Sequence, residues 1–378
     1  MDEEVLTTWL EIDLGAIQHN YRLLQAISQR PVMAVIKANA YGHGIGGVVP
    51  ALTQIGATWC GVARIEEALE VRRFSREIQV LVLGYTHPFW VEEALAQDIS
   101  LTVFDPQTAE AYANQARGLG RELRVHAKVD TGMGRLGVLP EGAVDFIRWL
   151  MALPGLKVEG LYTHFARADE SDPAPTLKQI RHFDGILETL TALKLRPRWV
   201  HASNSAAIFN FPQARYDLVR AGIALYGLHP SPETPLPSSF RPAMALKARL
   251  VSVKVLPPES GVGYGHRYVT RDHERIGVVA AGYADGIRRV LGNEVLVHGQ
   301  KAPVLGTPCM DQIMIQLDGV MGAAPGDEVV IFGRQGEGFI SVEEVAERWG
   351  TINYEVVTNM MARLPRIYID PKDDEENG

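Results

Sequence analysis

Residues 32–44 read Val32-Met33-Ala34-Val35-Ile36-Lys37-Ala38-Asn39-Ala40-Tyr41-Gly42-His43-Gly44. The first five are an unbroken apolar run, the pattern of a strand buried on both faces in a parallel sheet. Lys37 stands where that strand should end, and Tyr41 and glycines at 42, 44 and 46 follow it. A lysine at the mouth of a buried strand is a good place for a nucleophilic amine. Burial lowers its pKa, and the neutral amine can attack a carbonyl to form a Schiff base. Taken alone, the stretch fits a blander reading better, in which the stem packs and the ammonium reaches water.

Outward from this strand the chain keeps a rhythm. Apolar, β-branched segments recur near Val32–Ile36, Thr58–Ala63, Ile78–Leu83, Ser100–Phe104, Leu123–Val129, Val158–Thr163, Trp199–Ala202 and Leu218–Ala224. Helical patterns lie between them at Ile65–Phe74, Pro106–Gly118, Ala143–Leu153 and Leu177–Leu193. Eight strands alternating with helices predict a (β/α)8 TIM-like barrel. An open doubly wound sheet is the second choice, but no GxGxxG follows the first strand directly.

Polar residues then fall in step with the strands. Lys37 follows the first. Asp130, Arg135 and the loop DTGMGRLG follow the fifth, and His164 follows the sixth in YTHFARADE. Asn204 and Ser205 follow the seventh in VHASNSAA, and Arg220 and Gly222 lie at the eighth in LVRAGIALYG. Each sits at the C-terminal end of its strand, and in a barrel those ends converge on the face where active sites form. This register turns the reading of Lys37 from a surface lysine toward a site residue.

The rest of the chain bounds the function. The 378 residues are 46% hydrophobic and 22% charged, with a net charge of −8, which argues against a nucleic-acid partner. Two distant cysteines, Cys60 and Cys309, suggest neither a disulfide framework nor a zinc site and fit a reducing cytoplasm. The acidic start, MDEEVLTTWL, is not a signal peptide, and no apolar run is long enough to span a bilayer. Thr7–Leu14 reads as a strand, with Asp13 capping a helix that begins near Gly15. The proline-rich Leu228–Pro242 reads as a linker. Short strands follow at Arg249–Val255, Ile276–Ala280, Glu294–Val297, Pro303–Leu305, Gln312–Leu317 and Glu328–Phe332. Ser341 and Glu344 make a capping box, a second helix covers Tyr354–Met361, and the tail DPKDDEENG is expected to be disordered.

Several residues carry two readings. Tyr264, between Gly263 and Gly265, could project its hydroxyl into a cavity or be an exposed hairpin aromatic. GYADGIRR, with Tyr283, Asp285 and Arg289, could be functional or a solvated turn. TPCMDQ places Met310 and Asp311 where loop N–H groups could meet a carboxylate. Arg220 is expected to be partly buried and to need a partner. Ser205, Gly222 and Ile223 could form a phosphate cup. Lys128, inside an apolar strand, must be neutral, paired or modified.

Together VIKANAYGHG, KVDTGMGRLG, NSAA, RAGIALYG, GYADG and CMDQ resemble, in order and over nearly the whole chain, the alanine racemases, pyridoxal-phosphate enzymes of fold type III. The resemblance implies a cytoplasmic isomerase that interconverts L- and D-alanine and supplies D-alanine for peptidoglycan. Lys37 would hold pyridoxal 5'-phosphate and act as one base. Tyr264 would be the other, reaching into the partner's site in a homodimer with shared active sites. Tyr41, Asn204, Ser205, Gly222, Ile223 and Tyr354 would surround the phosphate. Arg220 would bond the ring nitrogen, with His164 beside it. Arg135 and the Met310 backbone would face the substrate carboxylate, with Asp311 also among the substrate-binding residues. Lys128 would be a carbamylated partner of Arg135, and Asp169, Tyr283 and Arg289 would line the approach. No metal is implied.

The implied domains are residues 1–233, the cofactor-binding barrel, and 234–378, a β-rich domain, with the strand at 7–14 able to pack with either. Three rivals stay open: a racemase of the same fold for serine or a broad range of amino acids, a non-catalytic pyridoxal-phosphate carrier, and a Schiff-base aldolase. The carrier would be a lone barrel, and the aldolase would need no phosphate cup.

Overall fold

A computed structural model describes residues 5–370, so the expected disorder of the acidic tail falls mostly outside the described residues. Eight parallel strands form one sheet: β2 (Val32–Val35), β3 (Trp59–Val62), β4 (Gln79–Val82), β5 (Ile99–Val103), β6 (Leu123–Lys128), β7 (Leu156–Tyr162), β8 (Trp199–His201) and β9 (Val219–Ala221). The order is β8-β7-β6-β5-β4-β3-β2-β9. β2 pairs with both β3 and β9, so the first and last strands of the series are neighbours. β8 and β9 share no ladder, yet Asp217 N–H donates to Val200 O at 3.0 Å and Arg220 N–H to Ser203 O at 3.0 Å. Those bonds bring the sheet round on itself, and the open doubly wound alternative is excluded.

The strands are short and mostly apolar because helices cover them. All four residues of β2 and of β3 are buried. The helices over Ile65–Phe74 and Pro106–Gly118 fall where the apolar spacing predicts. Two others start three residues earlier than expected, at Pro140 and Ala174. Proline lacks an N–H, and the first turn of a helix has no partner for one. The proline-rich segment is no free linker: Leu236 and Phe240 are buried, and Asn20 exchanges hydrogen bonds of 2.8 and 2.9 Å with the backbone of Arg241.

The second sheet has nine strands. They are β1 (Thr8–Asp13), β10 (Met244–Leu256), β13 (Glu274–Val279), β14 (Glu294–Val297), β15 (Gln300–Pro303), β16 (Ile313–Gln316), β17 (Glu328–Gln335), β18 (Gly338–Ile340) and β19 (Arg366–Ile369). A separate two-stranded ribbon pairs β11 (Gly261–Val262) with β12 (Tyr268–Val269). β1 lies antiparallel to β10 and parallel to β19. The strand expected at Pro303–Leu305 instead ends at Pro303, because His298 (φ 52°) and Gly299 (φ 75°) make a tight turn that fixes the hairpin one step earlier. By contacts, the chain up to Ala16, Tyr41–Gly44 and the chain from Pro242 form one compact unit, and Ile17–Ala40 with Ile45–Arg241 form the other. Among the described residues no helix is long and apolar enough to cross a membrane.

Candidate active site

Lys37 leaves the end of β2 into a turn that no glycine announces. Ala38, Asn39, Ala40 and Tyr41 all have φ between 52° and 55°, one turn of left-handed helix. Each such residue costs about 1–2 kcal/mol, because Cβ crowds the next carbonyl. The turn is therefore held from outside. Ala38 N–H donates to Glu67 Oε1 at 2.6 Å, and Asn39 Oδ1 accepts from Ile45 N–H at 2.9 Å. Glu67 is itself fixed, its other oxygen accepting from Ala63 N–H at 2.8 Å. Burial and then the Arg135 guanidinium hold the Lys37 pKa below the ordinary lysine value, while Glu67 works the other way.

Arg135 is placed by Asp130. One carboxylate oxygen accepts from Gly132, Met133 and Gly134 N–H at 3.0, 2.7 and 3.1 Å, and the other from Arg135 N–H at 2.9 Å. Burial opposes ionisation of Asp130, but these bonds outweigh it and its pKa is lowered. Gly137 closes the loop at φ 139°, where a Cβ would stand 2.3 Å from Asp130 N. Lys128 is 5% exposed, and among the described residues no carboxylate lies within ion-pair distance of it.

Arg220 is buried, as expected, but its partners are not carboxylates. NH1 donates to His201 Nδ1 at 2.8 Å. NH2 donates to Thr163 O and Ala202 O, each at 2.8 Å, and to His164 Nδ1 at 3.2 Å. Its Nε has no partner among the described residues. Burial lowers the Arg220 pKa to about 10, and burial followed by Arg220 keeps His164 and His201 well below the ordinary histidine value.

Ser205 opens a short helix, and its Oγ accepts from Gly222 N–H at 3.0 Å and Ala224 N–H at 3.3 Å. Two accepted bonds leave the hydroxyl proton free to be given. Ile223 begins a 3-10 turn beside it. Asn204 caps the helix, its Oδ1 accepting from Ala207 N–H at 3.0 Å. Asp169 offers its carbonyl to Ser231 Oγ at 2.7 Å and Thr234 Oγ1 at 3.1 Å.

In the other unit, the rings of Tyr41 and Tyr354 lie 6.3 Å apart and tilted by 47°. Tyr41 is buried, and burial pushes its pKa up. Gly42 (φ 84°) leaves no room for a Cβ, which would meet Val357 O at 2.1 Å. Tyr264 is 69% exposed and borders an open cavity of about 690 Å³ with Met310, Asp311 and Gln312. GYADG and CMDQ are stitched together: Tyr283 N–H donates to Cys309 O at 3.0 Å and Ala284 N–H to Met310 O at 2.9 Å. Met310 N–H has no partner among the described residues. The Asp311 carboxylate accepts from Arg363 NH1 at 2.8 Å, and Arg363 Nε donates to Asp285 at 2.7 Å. Asp311 is thus engaged by an arginine, and as an anion it is a poor group to face a carboxylate. Arg289 and Tyr264 border a second cavity, of about 490 Å³. Sequence reasoning passed over Glu67, His126, Glu159, His201 and Arg363. Glu67 lay in view in the first turn of a predicted helix.

The chain matches two family profiles in series: "Alanine racemase, N-terminal domain" over residues 12–230 and "Alanine racemase, C-terminal domain" over residues 243–368. It is 42% identical to the alanine racemase of Desulfovibrio desulfuricans over 366 residues, 96% of this chain and 98% of that one. Its fold is similar to the solved alanine racemase of Clostridium difficile 630, with TM-score 0.92 and 36% identity over 97% of this chain and 96% of that one. It is also similar to a histidine racemase of Leuconostoc mesenteroides, with TM-score 0.89 and 29% identity over 97% and 98% of the two chains. The chain belongs to the alanine racemase family, a family of isomerases.

Proposed function

We propose that this chain interconverts L- and D-alanine with pyridoxal 5'-phosphate bound at Lys37, as a cytoplasmic homodimer whose product serves peptidoglycan synthesis. The observation that carries the reading is Arg220: a buried guanidinium whose NH1 and NH2 both donate to the protein, with Nε–H left over. That fits an aromatic nitrogen acceptor. The half-buried Lys37 amine and the unused Ser205 hydroxyl fit the same cofactor, one its aldehyde and the other its phosphate.

When bound, the cofactor withdraws electron density and acidifies the substrate Cα–H. The protein supplies the rest. Lys37 Nζ, biased toward the neutral amine, takes or returns the proton on one face of Cα. Tyr264 Oη of a second copy serves the other face, so neither the substrate nor the ring has to turn. Its exposure on a single chain supports a role toward a partner. His164 commits Nδ1 to Arg220, so its ring proton sits on Nε2, where it can steady a phenolate oxygen. Arginine cannot give up its proton, so Arg220 keeps the ring nitrogen unprotonated and limits how far negative charge spreads into the ring. Arg135 and Met310 N–H receive the substrate carboxylate. Lys128, with its amine partly neutral, would add to carbon dioxide and lose one N–H proton to water, leaving an anionic carbamate that pairs with Arg135. Tyr41 and Tyr354 complete the phosphate cup, and Asp169, Tyr283 and Arg289 border the approach.

The test is a purified sample. A yellow protein that bleaches with borohydride, with the reduced adduct mapped to Lys37, and racemisation of L-alanine support the reading. A colourless protein, or an adduct elsewhere, sinks it. The likeness to a histidine racemase gives the second reading, a wider or different amino-acid range, and polarimetry on a panel with serine and histidine decides between them.

A further inference from the structure

A chain of buried polar side chains runs from Arg220 into the barrel unit. Arginine has no acceptor, so the 2.8 Å contact from Arg220 NH1 leaves His201 Nδ1 without a proton. The ring proton of neutral His201 then sits on Nε2, which lies 2.9 Å from His126 Nδ1. His201 therefore donates, and His126 in turn carries its proton on Nε2. That nitrogen faces Glu159 Oε1 at 3.4 Å and has no closer partner among the described residues. The separation is long for a hydrogen bond, so this is the weakest link. Ser100 Oγ fixes the far end by donating to Glu159 Oε1 at 2.6 Å.

The backbone is shaped for this chain. Along β6 and β7, Val125 faces Val158 but His126 faces Gly160, so Glu159 is an extra, unpaired residue. Such a bulge is uncommon between parallel strands and re-aims the side chain that it carries. At Gly160 a Cβ would stand 2.1 Å from His126 Nδ1, so only glycine leaves room for the imidazole. Tyr162 stacks on His201 at 4.8 Å with 6° between planes and holds that ring flat. Nothing in the reading of Lys37, Tyr264 or the phosphate cup requires any of these features.

We propose that His126 and Glu159 are positioning residues for Arg220: the one-way chain Arg220→His201→His126→Glu159 fixes both imidazole tautomers, so that the guanidinium always meets an acceptor and its plane is set. The chain concerns the reaction only if Arg220 faces the cofactor ring, and to that extent it rests on the proposed function. Burial keeps both histidines neutral, with Arg220 adding to the effect at His201 and Glu159 opposing it at His126, in accord with one proton per ring.

Ring-¹⁵N spectra of the wild-type holoprotein test the chain directly, with signals assigned by their loss in His126→Gln and His201→Gln. Both rings should be neutral with the proton on Nε2. A proton on Nδ1 of either ring, or a doubly protonated ring near neutral pH, overturns the proposal. Glu159→Ala should lower kcat roughly tenfold, as when a carboxylate that orients a ligating histidine is removed, with KM for alanine little changed. Glu159→Gln, whose amide oxygen still accepts, should recover most of that loss and keep the same visible absorption. Equal losses in the two variants, or none in either, overturn the positioning role. If Glu159→Ala does not fold, the wild-type spectra and Glu159→Gln still decide. The tautomers need no cofactor, so a colourless wild type with both Nε2 protons would defeat the proposed function while supporting the chain.

Discussion

The Lys128 ammonium lies 5.2 Å from the centroid of the Tyr162 ring, and the same ring lies 5.3 Å from the Arg220 guanidinium carbon. Two cations thus share one aromatic face system in a nearly dry place. Burial, then Arg135 and Arg220, bring the Lys128 pKa down to about 8. The folded value lies below the unfolded one, so between the two the unfolded chain holds more protons and stability rises with pH. Lys128→Met should therefore exceed wild type in stability by more near neutral pH than above the ordinary lysine pKa of about 10.4. Urea denaturation in carbonate-free buffer measures this, and a gap that does not change with pH refutes it. With ¹³C-bicarbonate added, a carbamate resonance absent from Lys128→Arg is the expected sign of the proposed modification.

The two proposed bases should separate cleanly. Lys37→Ala should lose both the visible absorption and nearly all turnover. Tyr264→Phe should keep the absorption and lose racemisation by about 10²–10⁴-fold, the range for a missing general acid–base group. Normal racemisation by Tyr264→Phe would end the two-base account.

Replacing Arg220 tests why a guanidinium stands there. In the proposed site Arg220→Glu would put a proton-sharing carboxylate at the ring nitrogen and let charge spread further, and should raise transfer of the alanine amino group to the cofactor, with release of pyruvate, at the expense of racemisation. Coupled assay for pyruvate reads it directly, and no rise would count against that role. The variant also places an anion beside His201 and His164, so its fold must first be checked by thermal melting.

The turn after Lys37 stores strain that one substitution can release. Ala38 is exposed at φ 52°, and its side chain is not needed for the bond from its N–H to Glu67. Ala38→Gly relieves about 1–2 kcal/mol of left-handed strain and loses part of that to the freer unfolded chain. The net expectation is a gain of up to about 1 kcal/mol in denaturant unfolding, whereas Ala38→Val should be destabilising. A destabilised Ala38→Gly would show that the turn is not strained.

The barrel was legible because most of its strands are short, largely apolar runs, and Lys37, Arg135, His164, Ser205 and Arg220 stand out at or near the ends of such runs. The inner polar chain was not. His126 sits between Val125 and Ala127 in a buried strand, and which way Glu159 points depends on a bulge that no periodicity marks. His201 was overlooked beside Asn204 and Ser205 in the same motif. The left-handed turn was hidden too, since only Asn39 among its residues favours that backbone. Pairing of β1 with β10 and β19 joins residues too distant in sequence for any local pattern to declare.

That pairing sets an order of events during synthesis. β1, with buried Trp9, Leu10 and Ile12, is made long before its parallel partner β19. At about 5–20 residues per second, roughly 20–70 s pass before both of its edges can be covered. Through that interval Ile17–Ala40 and Ile45–Arg241 can close into a barrel while an apolar strand waits with open hydrogen-bonding edges. The nascent chain is therefore most exposed to aggregation at β1, and a chaperone that shields that strand would help this protein more than one that binds the barrel.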